Sequence, residues 1–176
     1  LQHRWHAVEK QLLSSDKRPA TTAPLATPLD RAPSTNISDQ DALALKVASG
    51  FLRQLSAQEL TEIQLDSTSR LPIVALRDGS TSSVQQLDVQ QQRLTYLALW
   101  MAGLRQMAQQ GQRLPVVLDD LLTDFPQQYH YPIARTLQEF AAGQQQVILF
   151  TADADHVDLF AGLDTLIAPV APLPTE

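Results

Sequence analysis

The residues best placed to do chemistry are Asp119 and Asp120. They close the run Leu114-Pro115-Val116-Val117-Leu118-Asp119-Asp120. An apolar run without polar alternation predicts a strand buried on both faces, as in a parallel sheet. At the carboxyl end of such a strand, side chains enter the crevice where open α/β folds bind ligands. There the first Asp can hold a Mg²⁺ through water. The second can orient or deprotonate a nucleophilic water. The structural alternative is a strand end that feeds a turn, with Asp capping the next segment.

Other chemistry-bearing residues form weaker sets. His3 and His6 are three apart on a predicted helix, a spacing that can chelate a metal or simply carry two solvated histidines. Asp153, Asp155 and His156 resemble a carboxylate–imidazole metal set, and equally a helix N-terminus with favourable acidic charge. Tyr129-His130-Tyr131 before Pro132 reads as a helix entry, with Pro132 in the first turn. Ser82–Ser83 has no neighbouring His motif, which speaks against a serine hydrolase. Trp100, on a long predicted helix, reads as packing.

Composition bounds what these residues can serve. The chain has 176 residues, with 13 Lys and Arg against 19 Asp and Glu, so the formal charge is 13 − 19 = −6. That argues against a broad basic face for a nucleic-acid backbone. Cysteine is absent, which excludes disulfides, thiolate metal sites and a cysteine nucleophile. No apolar run approaches the roughly 18 residues that a membrane helix needs. Leu1–Lys10 is polar and mixed in charge, unlike a signal peptide, so a cytoplasmic location is expected. The chain opens on Leu rather than Met, and a fragment of a longer protein is expected. Glutamine clusters at Gln90–Gln92 and Gln144–Gln146 read as solvated surface.

Three regions must position the carboxylates. Residues 1–17 predict an amphipathic helical arm, with Trp5, Val8 and Leu12 at helical spacing, read either as a short helix or as the end of a longer helix or coiled coil. Residues 18–37 form a linker, because Pro19, Pro24, Pro28 and Pro33 forbid a helix or an interior strand. Residues 38–176 form the folded part. Ser38 predicts an N-cap, with Asp41 as its capping-box partner, for a helix to about Leu55. Glu62–Leu65 and Ile73–Leu76 predict an antiparallel pair around a turn at Asp66–Arg70, with a second turn at Asp78–Gly79. A helix from about Val89 to Gln110 carries a stripe of Leu94, Leu97, Ala98, Met101, Leu104 and Ala108, with Gly111 as its stop. After the strand at 114–118 come a helix over 127–142, a strand at Val147–Phe150, a short helix over 155–161 and a last strand at Leu166–Ala168. Helices alternating with buried strands imply a parallel sheet.

The apolar strand ending in two carboxylates is a Walker B pattern. With the hairpin before it, the Tyr96-Leu97-Ala98-Leu99 helix and the strand Val147-Ile148-Leu149-Phe150-Thr151, residues 41–160 resemble the C-terminal half of an ABC-type ATPase head. The likeness is to the SMC-like branch, and most of all to the YhaN-like proteins. It implies an α/β fold: mostly parallel buried strands flanked by helices, with an antiparallel hairpin at one edge. It also implies ATP and Mg²⁺ as cofactors of a full-length parent, and none for this chain alone. The partners implied are an N-terminal P-loop half, a possible second head, and DNA by resemblance only.

Carried over position by position, the family's Walker B aspartate falls on Asp119, the metal position, and its catalytic carboxylate on Asp120. The Leu-Ser-x-Gly signature falls on Leu87, Asp88, Val89 and Gln90, so Asp88 replaces serine and Gln90 replaces glycine. An Asp there repels phosphate, and a Gln crowds the backbone approach that Gly permits. The D-loop falls on Asp124-Phe125-Pro126, where Pro126 stands for an Asp. The switch histidine falls on Asp153, which while ionised cannot donate a hydrogen bond to a γ-phosphate. His156, three residues on, can compensate only through a shifted loop. No G-x-x-x-x-G-K-[ST] occurs in the 176 residues. The expectation is therefore the Walker B half of a head, weak or inactive in hydrolysis, that couples head association to a coiled-coil arm. The rival is an interaction module that never binds nucleotide. A metal-dependent phosphodiesterase would need more ligands than Asp119 and Asp120.

Overall fold

The computed structural model describes residues 39–69, 71–143 and 145–170. The predicted arm over 1–17, the linker over 18–37, and the Ser38 cap lie outside the described residues. So does the His3–His6 pair. Four helices, an antiparallel sheet and a parallel pair make up the described part, an α/β fold.

Helix α1 spans Asp39–Leu55. Ala48, Phe51, Leu52 and Leu55 recur at helical spacing and are all buried. Past its end, Ala57 (φ 49°) and Gln58 (φ 71°) both take left-handed backbone without being glycine. Ser56 Oγ holds that corner. It donates to Leu52 O (2.7 Å) and accepts from Leu60 N–H (3.0 Å). Two turns earlier, Ser49 Oγ accepts from Ile63 N–H at 2.9 Å. One helix serine and one corner serine thus satisfy donors of the next strand and blunt its outer edge.

Strands β1 (Leu60–Leu65), β2 (Pro72–Leu76) and β3 (Thr81–Ser83) form an antiparallel sheet in that order. The turn after β1 is held by Asp66. Its Oδ1 accepts from Ser69 N–H (2.6 Å), Ser69 Oγ (2.8 Å) and Thr68 N–H (3.0 Å). These bonds favour the carboxylate and hold the Asp66 pKa below its ordinary value. The turn between β2 and β3 uses Gly79 at φ 85°, where glycine's freedom is required.

Helix α2 (Val89–Gln109) begins at Asp88 and stops before Gly111, whose φ is 88°. Its predicted stripe is real: Leu94, Ala98 and Met101 are fully buried, and Leu97 and Leu104 pack against the core. Trp100 is 43% exposed, so it lies at the margin of the packing rather than within it. Helix α3 (Gln127–Ala142) buries Tyr129, Ile133, Leu137 and Phe140. The Phe140 ring meets Phe51 edge-on at 5.8 Å. Pro132 is the sixth residue of α3, not part of its first turn, because the helix starts earlier, with Pro126 as its cap.

Strands β4 (Val116–Asp119) and β5 (Val147–Phe150) are parallel, with Val116 opposite Val147 and Asp119 opposite Phe150. Helix α4 (Ala154–Ala161) follows. Val116 and Leu118 face the core, and Val147 and Leu149 pack against it. Val117 (60% exposed) and Phe150 (46%) lie on the other face. The expectation that β4 is buried on both faces is therefore wrong. Within the described residues β4 has one neighbour strand and one covered face. The expected last strand at 166–168 is not a strand either. Among the described residues it finds no strand to pair with, and Leu166 is 96% exposed.

One contact ties α3 back to the α1–β1 corner. The buried Tyr129 hydroxyl donates to Glu59 Oε2 at 2.7 Å. Burial, then the Glu59 bond, raises the phenol's pKa above its ordinary value of 10.0. A raised acid pKa means the fold favours the neutral phenol. That stability is present below about pH 10 and lost as pH rises past it. Tyr129→Phe should cost about 0.5–1.5 kcal/mol at neutral pH and flatten the alkaline decline. Urea titrations at pH 7 and pH 10.5 test this.

Candidate functional site

The site is the carboxyl end of the β4–β5 pair. Side chains alternate along a strand, so Asp119 projects to the same open face as Val117, beside Phe150. Its carboxylate is exposed. Asp120 leaves the strand. Its N–H still donates to Phe150 O at 2.9 Å, but its backbone turns left-handed at φ 45°. A non-glycine residue in that region stores a little strain, and Asp tolerates it better than most. Asp120 precedes a 3₁₀ turn, Leu121–Asp124, yet its side chain makes no capping hydrogen bond. Leu122 and Phe125 anchor this turn in the core.

The carboxylates of Asp88 and Asp153 behave differently. Asp88 is the N-cap of α2, and its Oδ1 accepts from Gln91 N–H at 2.8 Å. Asp153 is the N-cap of α4, and its Oδ1 accepts from Asp155 N–H at 2.8 Å. Each anion occupies a helix N-terminus where backbone donors and the dipole would otherwise receive an anion. Leu87 is buried beneath the α2 entry. Gln90 is half-buried, and its Oε1 is buried without a hydrogen-bond partner among the described residues.

His156 is only 4% exposed. Its Nδ1 lies 3.4 Å from Thr151 Oγ1, its Nε2 lies 3.9 Å from Asp153 Oδ2, and its ring meets His130 edge-on at 4.8 Å. It packs inward and does not take the exposed place of Asp153. Among the described residues, no three His, Asp or Glu side chains converge to hold a metal ion. The donor set fits Mg²⁺ only as a single carboxylate, Asp119. That is enough where water and phosphate oxygens supply the other ligands.

Reading the sequence alone misses two contacts at this site. The Arg93 guanidinium donates to Asp124 O at 2.7 Å and lies 3.4 Å from Asp124 Oδ1. The His130 Nε2 lies 2.8 Å from Phe125 O. Nothing in the spacing marks Arg93, which is 31 residues from Asp124.

No protein-family model and no curated protein matches the sequence. Solved structures do. The chain is similar to the Smc head domain with an extended coiled coil from Pyrococcus furiosus, bound to the C-terminal domain of ScpA. That match has 13% identity and a TM-score of 0.50 over 68% of this chain and 29% of that one. It is also similar to an SmcHead bound to the C-winged helix domain of ScpA, with 12% identity and a TM-score of 0.51 over 66% of this chain and 36% of that one. The fold is thus like that of part of the Smc head domain, and this chain spans about a third of the length of those chains. None of the described helices is long and apolar enough to cross a membrane.

Proposed function

We propose that this chain is the Walker B half of an SMC-like, YhaN-like ATPase head that hydrolyses ATP slowly or not at all. Its role is then to couple head association to a coiled-coil arm. One observation carries the reading. Asp119 and Asp120 stand at the carboxyl end of a parallel pair with one uncovered face, and Asp120 caps nothing. An N-terminal P-loop half supplies the missing cover and the phosphate cradle in this reading. ATP and Mg²⁺ belong to the joined halves, in the cytoplasm. Asp119 holds Mg²⁺ through one carboxylate. Asp120 orients the attacking water. A second head completes a dimer, and DNA is a candidate partner through the family resemblance.

Slow chemistry follows from the substitutions. Asp88 and Asp153 spend their carboxylates on their own helices, and each opposes an approaching phosphate. Gln90 fills the place of a glycine, and Pro126 the place of the D-loop Asp. These same caps favour the second reading, an interaction module that binds no nucleotide. The two diverge in a protein that carries both halves, where only the first binds Mg-ATP. The 176-residue chain alone should give no measurable calorimetric signal with millimolar Mg-ATP, because the P-loop donors and Lys are absent from it. Micromolar affinity would sink the proposal.

A further inference from the structure

We infer that Arg93 is a positioning residue: it clamps the 3₁₀ turn that carries Asp120 to the first turns of α2. The inference rests on the head reading only for the role given to Asp120. The turn is held at both ends. At its start, Asp120 N–H is bonded to Phe150 O of β5. At its end, Phe125 O is met by His130 of α3 at 2.8 Å, and Asp124 O by Arg93 of α2 at 2.7 Å. Arg93 lies five residues after Asp88, just beyond Gln91, whose N–H Asp88 caps. A shift of the α2 N-terminus is therefore delivered to Asp124, and through a four-residue turn to Asp120.

The exposed Arg93–Asp124 ion pair does little of this by itself, since both side chains are solvated. The bond to the carbonyl matters more. It is charge-assisted and fixes backbone rather than a rotatable carboxylate. Leu122 and Phe125 anchor the turn in the core cluster that also holds Leu87 and Leu94, but they make no polar link to the α2 N-terminus. Arg93 supplies that link.

Hydrogen exchange on the 176-residue protein, without nucleotide, tests the clamp. The reporters are the Thr123 and Phe125 amides, which are bonded to Asp120 O and Leu122 O. Arg93→Ala should speed their exchange about three- to tenfold and leave β4 unchanged, and Arg93→Lys should restore part of the protection. Asp88→Ala frays the α2 N-terminus. It should speed exchange in the turn when Arg93 is present and add nothing in the Arg93→Ala background. Unchanged exchange in Arg93→Ala, or an Asp88→Ala effect that persists without Arg93, would overturn the clamp. Either result leaves the nucleotide reading standing, and failure of Mg-ATP to bind the joined halves leaves the clamp standing.

Discussion

Leu52→Ala should lower the unfolding free energy by about 2–5 kcal/mol. Leu52 is fully buried in the last turn of α1. That helix packs on α2, β1 and α3 together, so the cavity opens where three elements meet. Its neighbours Phe51 and Leu55 are themselves pinned. Phe51 is held by the Phe140 ring, and the Leu55 corner by Ser56. The site can therefore collapse little, which places the cost high in the range. A domain of this size has about 5–15 kcal/mol in all, so much of it is lost. Leu43→Ala, on the same helix but 58% exposed, should cost under about 0.5 kcal/mol. Urea titrations should show the midpoint falling for Leu52→Ala at unchanged slope. Equal midpoints for the two variants would mean that α1 is not docked as described.

Much of this fold is legible in the sequence wherever a period and a stop coincide. Helix α2 is read nearly to the residue, because its apolar stripe runs from Leu94 to Met101 and Gly111 ends it. Strand β5 is an unbroken apolar run and is read whole. Strand β3 is missed because Thr81-Ser82-Ser83 carries no apolar signal; pairing with β2 makes it a strand. The reverse error falls at 166–168, where an apolar stretch lacks a partner and stays irregular. The left-handed corner at Ala57 and Gln58 carries no glycine to announce it.

The site divides in the same way. Asp119 and Asp120 follow from local pattern, since a strand that ends in carboxylates needs no distant information. The uncovered face of β4 does not follow, because Val117 is as apolar as Val116 and only the three-dimensional neighbours tell them apart. The capping by Asp88 and Asp153 was open to reading from helix-start rules. At Asp153 the sequence does offer a helix N-terminus; at Asp88 it suggests only a lost phosphate contact until the bond from Gln91 N–H is seen.

The largest functional effects are expected once both halves are joined in one protein. Losing one preorganised donor at a reacting centre typically costs on the order of 100-fold in rate. In the proposed head, the signature, D-loop and switch positions fall on Asp88 and Gln90, on Pro126 and on Asp153, and all three would depart from the family pattern. Asp120 then has little activated water to act on, so Asp120→Asn should change hydrolysis by less than about tenfold. Asp119→Asn differs, because holding Mg²⁺ does not require fast chemistry. Its loss should weaken Mg-ATP binding by about tenfold or more, with Mg²⁺-free nucleotide affected far less.

Titration of Mg-ATP into the joined halves, with single-turnover hydrolysis on wild type, Asp119→Asn and Asp120→Asn, tests the central claim most directly. The expected result is binding that weakens in Asp119→Asn, together with slow turnover that is nearly indifferent to Asp120→Asn. Absence of binding in the wild type, or brisk turnover that collapses in Asp120→Asn, would contradict it.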